Sequence, residues 1–153
     1  MLTLYTSGGS VYTASHGNGQ QTLFALDAIT GIESWRFQNT GESLSGIAHD
    51  RGFLVVRSNP DGFTDIDSDS GQVRWSLDVD FQEGAETETD GGTVYFLDDQ
   101  GMIVALDLMT GSERTRFPLL GADVRGTIAA EGGVLYVGSS DGTLFAVSPL
   151  KPR

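Results

Sequence analysis

Ala25-Leu26-Asp27-Ala28-Ile29-Thr30-Gly31-Ile32-Glu33-Ser34-Trp35 decides the fold, because it returns twice in phase. Asp65-Ile66-Asp67-Ser68-Asp69-Ser70-Gly71-Gln72-Val73-Arg74-Trp75 is the second copy. Ala105-Leu106-Asp107-Leu108-Met109-Thr110-Gly111-Ser112-Glu113-Arg114-Thr115 is the third. Asp27, Asp67 and Asp107 stand 40 residues apart, as do Gly31, Gly71 and Gly111. A fixed period near 40 is the mark of a repeat architecture.

Around each copy the same order of short strands and turns appears. Met1 to Tyr5 alternates, Ser7-Gly8-Gly9 turns, and Val11 to Ala14 is a strand. His16 to Gln21 reads as the longest hairpin loop, rich in residues that tolerate positive φ. Leu23 to Leu26 is the next strand, Asp27 to Gly31 a tight turn, and Trp35-Arg36-Phe37 the alternation of a half-buried outer strand. Unit two repeats this through Ser45 to Ala48, Leu54 to Val56, Phe63 to Ile66 and Val73 to Leu77. Unit three does so through Ala85 to Thr89, Val94 to Leu97, Met102 to Leu106 and Arg114 to Phe117. Unit four offers Gly126 to Ala129, Leu135 to Val137 and Leu144 to Val147. Four-stranded antiparallel meanders at this period are the blades of a β-propeller, so the fold class is all-β. The blades fall at about 1–38, 44–79, 84–118 and 125–148. A parallel solenoid would not need four turn signals per repeat.

Composition narrows the partners. The net charge of −12 is spread along the chain, a field that disfavours nucleic acid and anionic membranes. No apolar run approaches the roughly 20 residues that span a bilayer, so no membrane insertion is expected. There is no cysteine, hence no disulfide, thiolate metal site or cysteine nucleophile. Lys151 is the single lysine beside eight arginines and fourteen aspartates, a surface expected of a halophilic protein whose stability rises with molar KCl.

Ala25 to Trp35 fits A-x-D-x-x-T-G-x-x-x-W. With the preceding Gly-x-Leu-Phe-Ala-Leu-Asp type of run, it resembles the tryptophan-docking motif of the PQQ-like (quinoprotein-type) propeller repeat. The resemblance covers almost the whole chain. It implies that the outer-strand indole lies against the turn glycine and small residue of a neighbouring blade, burying on the order of 150–250 Å². This structural role falls on Ala25, Asp27, Thr30, Gly31 and Trp35, on Asp67, Gly71 and Trp75, and on Asp107, Thr110 and Gly111. Asp65 takes the alanine position in unit two, where a charge is costly unless wet or paired, and Thr115 replaces the tryptophan in unit three. Dehydrogenases of the family hold PQQ with calcium over a tryptophan floor, with a carboxylate base. No matching Glu/Asn/Asp set is present, and both tryptophans belong to the docking motif, so no cofactor is carried over. Some proteins with this repeat look like the non-enzymatic propeller lipoprotein of the outer-membrane barrel-assembly machinery, or the sensory ends of membrane kinases. The resemblance therefore implies a protein-interaction scaffold. The alternative is a fragment of a PQQ-dependent quinoprotein dehydrogenase.

Unit four has no docking turn and no outer strand, and Pro149 and Pro152 forbid a ladder strand there. Fifteen strands are visible, leaving two apolar blade faces open. A longer seven- or eight-bladed protein, two copies closing an eight-bladed ring, or a small four-bladed ring would each cover them. The N-terminus carries no secretory signal, which suits a cytoplasmic chain if complete; the family suits an extracytoplasmic one if it is a fragment.

Few residues suggest chemistry. Asp65, Asp67 and Asp69 are spaced like the start of a calcium loop, but Ser70 and Ser76 stand where such a loop needs glycine and glutamate. Glu86 and Glu88, at i and i+2 of the innermost strand of unit three, are the cation candidates, against a reading as solvated charge. Of the two histidines, His16 lies in the longest predicted loop and His49 closes an inner strand; exposure is the simpler expectation for both, and no serine has an obvious base.

Overall fold

A computed structural model describes residues 4–17, 20–39, 43–59, 62–81, 86–119 and 124–149. These residues form four antiparallel sheets, each a propeller blade, and no helix. The chain divides into two compact units, residues 1–78 and 79–153.

The first unit holds two four-stranded meanders. One is β1 (Leu4–Ser7), β2 (Ser10–Gly17), β3 (Gln20–Asp27) and β4 (Glu33–Asn39). The other is β5 (Ser43–Asp50), β6 (Phe53–Asn59), β7 (Gly62–Asp67) and β8 (Val73–Leu77). The second unit holds β9 (Glu88–Asp90), β10 (Thr93–Leu97), β11 (Ile103–Asp107) and β12 (Glu113–Phe117). Its other sheet has three strands, β13 (Val124–Glu131), β14 (Val134–Ser139) and β15 (Leu144–Val147).

Alternation along the strands sends one set of side chains to each core. In the first unit Tyr12, Ala14, Leu23, Ala25 and Trp35 pack with Leu44, Leu54, Val56 and Ile66. In the second unit Tyr95, Leu97, Ile103 and Ala105 pack with Ile128, Leu135 and Val137. Apolar residues on facing sheets thus meet, and this burial is the main term holding neighbouring blades together.

Two expectations are corrected. The predicted loop over His16 to Gln21 is mostly ladder: β2 and β3 remain paired through His16↔Gln21 and Gly17↔Gln20. Strand pairing is a backbone property, so polar and glycine residues extend it until the connection itself. Residues 18–19 lie outside the described residues. The innermost strand of the third blade is also shorter than its sequence suggests. The ladder ends at Tyr95↔Glu88, and Glu86 lies before the strand rather than in it. Residues 82–85 of that region lie outside the described residues, as do Met1 to Thr3 at the start of the first predicted strand.

Candidate functional site

The three repeat turns are near-copies in atomic detail. Asp27 Oδ1 accepts hydrogen bonds from the Ile29 and Thr30 amides at 3.1 and 2.7 Å and from Thr30 Oγ1 at 2.8 Å. Asp67 Oδ1 does the same with the Asp69 and Ser70 amides and Ser70 Oγ, at 3.1, 2.8 and 2.9 Å. Asp107 Oδ1 repeats it with Met109, Thr110 and Thr110 Oγ1, at 2.9, 3.0 and 3.1 Å. In each, the glycine amide donates to the aspartate carbonyl, and the glycine φ is +71°, +73° or +70°. An L side chain rarely adopts that angle, which is why Gly31, Gly71 and Gly111 recur. A register shift at Ala25/Leu26, Asp65/Ile66 and Ala105/Leu106 marks the entry to each turn. The residue after each aspartate ties the turn back to an earlier glycine: Ala28 to Gly9, Ser68 to Gly52 and Leu108 to Gly92.

Hydrogen bonding keeps these carboxylates ionised. The Thr30 amide lowers the Asp27 pKa, and the Ser70 amide holds Asp67 near about 2. Asp107 is lowered chiefly by Arg114, whose Nη2 lies 2.5 Å from Oδ2. Each aspartate is therefore already engaged by its own turn.

Trp35 joins the first sheet to the second turn. Its indole Nε1 donates to the Ser68 carbonyl at 2.9 Å. Its ring lies against the second turn so closely that a Cβ on Gly71 would sit 2.7 Å from Trp35 Cδ2. Trp35 stands opposite Ala25 in the β3/β4 ladder, and its ring centroid is 5.9 Å from that of Tyr12. It is buried, at 9% exposure. Trp75 occupies the equivalent position opposite Asp65 on β8 and is half-buried. Thr115 stands opposite Ala105 on β12.

Asp65 is the anomaly of the repeat. It is fully buried, and neither carboxylate oxygen has a hydrogen-bond partner. Arg74 Nη1 lies 3.6 Å from Oδ2, and the Arg74 guanidinium also pairs with Asp67 and sits 3.9 Å over the Phe53 ring. Burial pushes the Asp65 pKa up to about 6 against the pull of Arg74. The charge is thus neither wet nor well paired, the costly case for that position.

The remaining candidates do not converge. Glu86 is exposed and Glu88 is half-buried; burial first, then the Glu86 charge, raises the Glu88 pKa. Among the described residues no group of three or more histidine, aspartate or glutamate side chains is placed to hold a metal ion. His49 stands at the close of β5, as its sequence position predicts, but it is half-buried rather than exposed, with Nδ1 2.9 Å from Ser7 Oγ and its ring stacked 6.2 Å from that of Tyr12. Burial lowers its pKa. Its place just before the Asp50-Arg51-Gly52 turn suggested exposure, whereas the strand end packs inward. His16 lies in β2 and pairs with Gln21 of β3.

Two polar residues that sequence reading passed over act as ties. Buried Gln21 accepts the Leu44 amide through Oε1, linking the first sheet to the second. Buried Asp98 accepts the Gln100 and Met102 amides at 3.0 and 2.8 Å and pairs with Arg116. For Asp98 the signal was present as Asp-x-x-Gly before Ile103; for Gln21, flanked by polar residues, there was none.

Comparison with known proteins places the repeat. The family model described as outer membrane protein assembly factor BamB, a PQQ-like repeat model, matches residues 3–116 and 64–151. The serine/threonine-protein kinase AfsK of Streptomyces coelicolor is 32% identical over 123 residues, covering 78% of this chain and 14% of the kinase. The chain thus spans about one-seventh of that relative's length. The crystal structure of BamB from Moraxella catarrhalis superposes with a TM-score of 0.72 at 25% identity, over 92% of this chain and 46% of BamB. A quinohemoprotein alcohol dehydrogenase from Pseudomonas putida HK5 superposes at 0.69 with 18% identity, over 95% of this chain and 32% of the enzyme, a likeness of fold.

Proposed function

The chain belongs to the PQQ-like β-propeller repeat family, and from that premise we propose that it is a non-catalytic scaffold for protein–protein interaction. The observation that carries this reading is how the repeated motif residues are used. Asp27, Asp67 and Asp107 are held by their own turns, and Trp35 is held by Ser68 and Gly71. The groups that would attract attention as catalysts or ligands are thus engaged in building blades. Meanwhile Ile29, Ile32, Met109, Tyr136 and Leu144 are exposed apolar side chains, the surface chemistry of protein recognition. Similarity to an assembly factor supports the same role. So does the match to a small part of a kinase, where the repeat is one portion of a longer chain.

The acidic field favours a protein partner over nucleic acid. Self-association through open blade faces belongs to this reading, as does adaptation of the Asp-rich surface to high salt.

The competing reading is a portion of a quinoprotein dehydrogenase with its active-site blades elsewhere, and it draws on the likeness to the Pseudomonas putida enzyme. Titration with PQQ and Ca²⁺, followed by absorbance and calorimetry, separates the two. The scaffold reading expects no saturable binding. A 1:1 complex with a quinone absorbance would overturn it.

A further inference from the structure

The second repeat turn alone combines an arginine with a buried aspartate. At the Asp65 position the other copies have Ala25 and Ala105, and at the Arg74 position the first has Ser34 and the third Arg114. Arg114 shows what the arginine does without a buried carboxylate beside it. Its Nε and Nη2 lie 3.2 and 2.5 Å from Asp107 Oδ2, and its Nη1 donates to Thr93 Oγ1 at 2.6 Å. All three nitrogens of that guanidinium are engaged.

Arg74 is held differently. Phe53 stands in the place of Thr93, each opposite its turn aspartate in the ladder, so Arg74 meets a ring face at 3.9 Å instead of a hydroxyl. Arg74 Nη2 pairs with Asp67 Oδ2, while Nη1 stays 3.6 Å from Asp65 Oδ2, too far for a hydrogen bond. Asp65 is fully buried, and neither of its oxygens accepts a hydrogen bond. That arrangement suits a neutral carboxyl, which pulls little on a guanidinium. An ionised carboxylate in the same place gains from closing to a charge-assisted bond of roughly 2.8 Å. The ring of Phe53 allows the movement, because a ring face attracts a cation without fixing its direction. The charges that act on Asp65 are Arg74 of β8 first and then Asp67 of its own strand. On β6 the charged residue of the same face is Arg57, two positions from Val55, which stands opposite Asp65.

We propose that Arg74 is a proton-operated latch on the second turn. It clasps Asp67 while Asp65 holds a proton, and Asp65 draws it inward when that proton leaves. The second turn seats Trp35 through the Ser68 carbonyl and Gly71, so the joint between the first two sheets becomes sensitive to pH. Burial sets the working range by raising Asp65 to about 6, whereas the Ser70 amide helps keep Asp67 ionised throughout. The turn is therefore clasped most firmly in acid and released as pH rises through about 6. This goes beyond the scaffold reading and does not depend on what the scaffold binds.

Nuclear magnetic resonance of the full chain, titrated from pH ~4.5 to ~8, tests the latch. The Asp65 carboxyl carbon, the Arg74 Nε–H group and the Ser70 and Gly71 amides should shift together, with one midpoint near about 6. The Thr30, Gly31, Thr110 and Gly111 amides and the Arg114 Nε–H group should stay still, because alanine takes the Asp65 position in their copies. Asp65→Asn should abolish the shift at Arg74 and at the turn. Asp65→Ala, which installs the residue of the other two copies, serves the same purpose if the first variant does not fold. His49 is a second titrating group nearby, since Asp69 acts on it, so His49→Asn must leave the shift in place. Arg74→Gln should silence the turn while Asp65 still titrates, at higher pH because the pull of Arg74 is gone. An Asp65 carboxyl that titrates while Arg74 and the turn stay still would overturn the latch. So would an Asp65 with no midpoint above pH ~4.5, or a turn response that disappears with His49.

Discussion

The two units are built from the same repeat but seal their sheets differently. In residues 1–78 an indole crosses from β4 to the turn after β7, with one hydrogen bond to Ser68 and a ring face on Gly71. In residues 79–153 the equivalent strand β12 offers Thr115 in place of the indole. The second unit relies instead on side chains such as Tyr95, Leu97 and Ile103 against Ile128, Leu135 and Val137. Each unit keeps one polar tie near the first turn of its sheets: Ser7 Oγ to His49 in the first, and the Gly133 amide to Asp90 at 2.6 Å in the second. The comparison separates what the blade needs from what the motif adds. Apolar burial and the aspartate turn recur in both units, whereas the docked indole is an extra clasp that one of them lacks.

The largest expected effect breaks that clasp. Trp35→Ala removes a buried aromatic and leaves the Ser68 carbonyl unpaired, at a cost of ~3–5 kcal/mol in urea unfolding. A loss below about 1 kcal/mol would mean that the indole contributes little. Thr115→Ala should cost far less, under about 1 kcal/mol, because no buried ring or indole bond is lost.

Asp65→Ala gives the second copy the residue found in the first and third. It should stabilise the protein by about 1–3 kcal/mol at pH 8, from the size of the Asp65 shift. The pH dependence has a definite sign. The folded carboxyl titrates near about 6, above the ordinary 3.8, so the folded state holds the proton more tightly than the unfolded chain. Stability from this group is greatest below pH ~4 and falls as pH rises to about 6. In Asp65→Ala that slope disappears; a slope unchanged by the substitution would remove Asp65 as its source.

Gly71→Ala and Gly31→Ala sharpen the comparison further. Both positions have positive φ, so both substitutions carry backbone strain of about 1 kcal/mol. Only at Gly71 does the new methyl also strike an indole, which adds about 1–3 kcal/mol. Equal losses at the two sites would show that the ring does not press on the second turn.

The smallest effect is at His49. Burial lowers its pKa, so the unfolded chain takes the proton first, and this group weakens the fold as pH falls through its ordinary value of 6.5. That slope is opposite in sign to the one from Asp65. Nuclear magnetic resonance titration of the imidazole should place its pKa below 6.5, and His49→Asn should flatten the acid limb.

Much of this was legible in the chain. The 40-residue spacing of Asp27, Asp67 and Asp107 gave the blades, because the turn each one builds is local: every bond to Oδ1 comes from within three residues. Alternation in β4 and β8 gave the outer strands for the same reason. What escaped reading depends on partners distant in sequence. The burial of His49 comes from Ser7 and Tyr12, and that of Gln21 goes with Leu44, 23 residues on. The extent of β9 was misread because Glu86 and Glu88 share a period-two pattern that the ladder with β10 does not follow to its end. Asp65 was recognised as an odd residue, but only the structure shows it without a hydrogen bond.

Native-state hydrogen exchange on the parent chain and on Trp35→Ala tests the difference between the units most directly. The clasp predicts that protection falls in β3, β4, β6 and β7 when the indole is removed, while β10, β11 and β14 keep theirs. Equal loss in both sets, or no loss in the first, would contradict it.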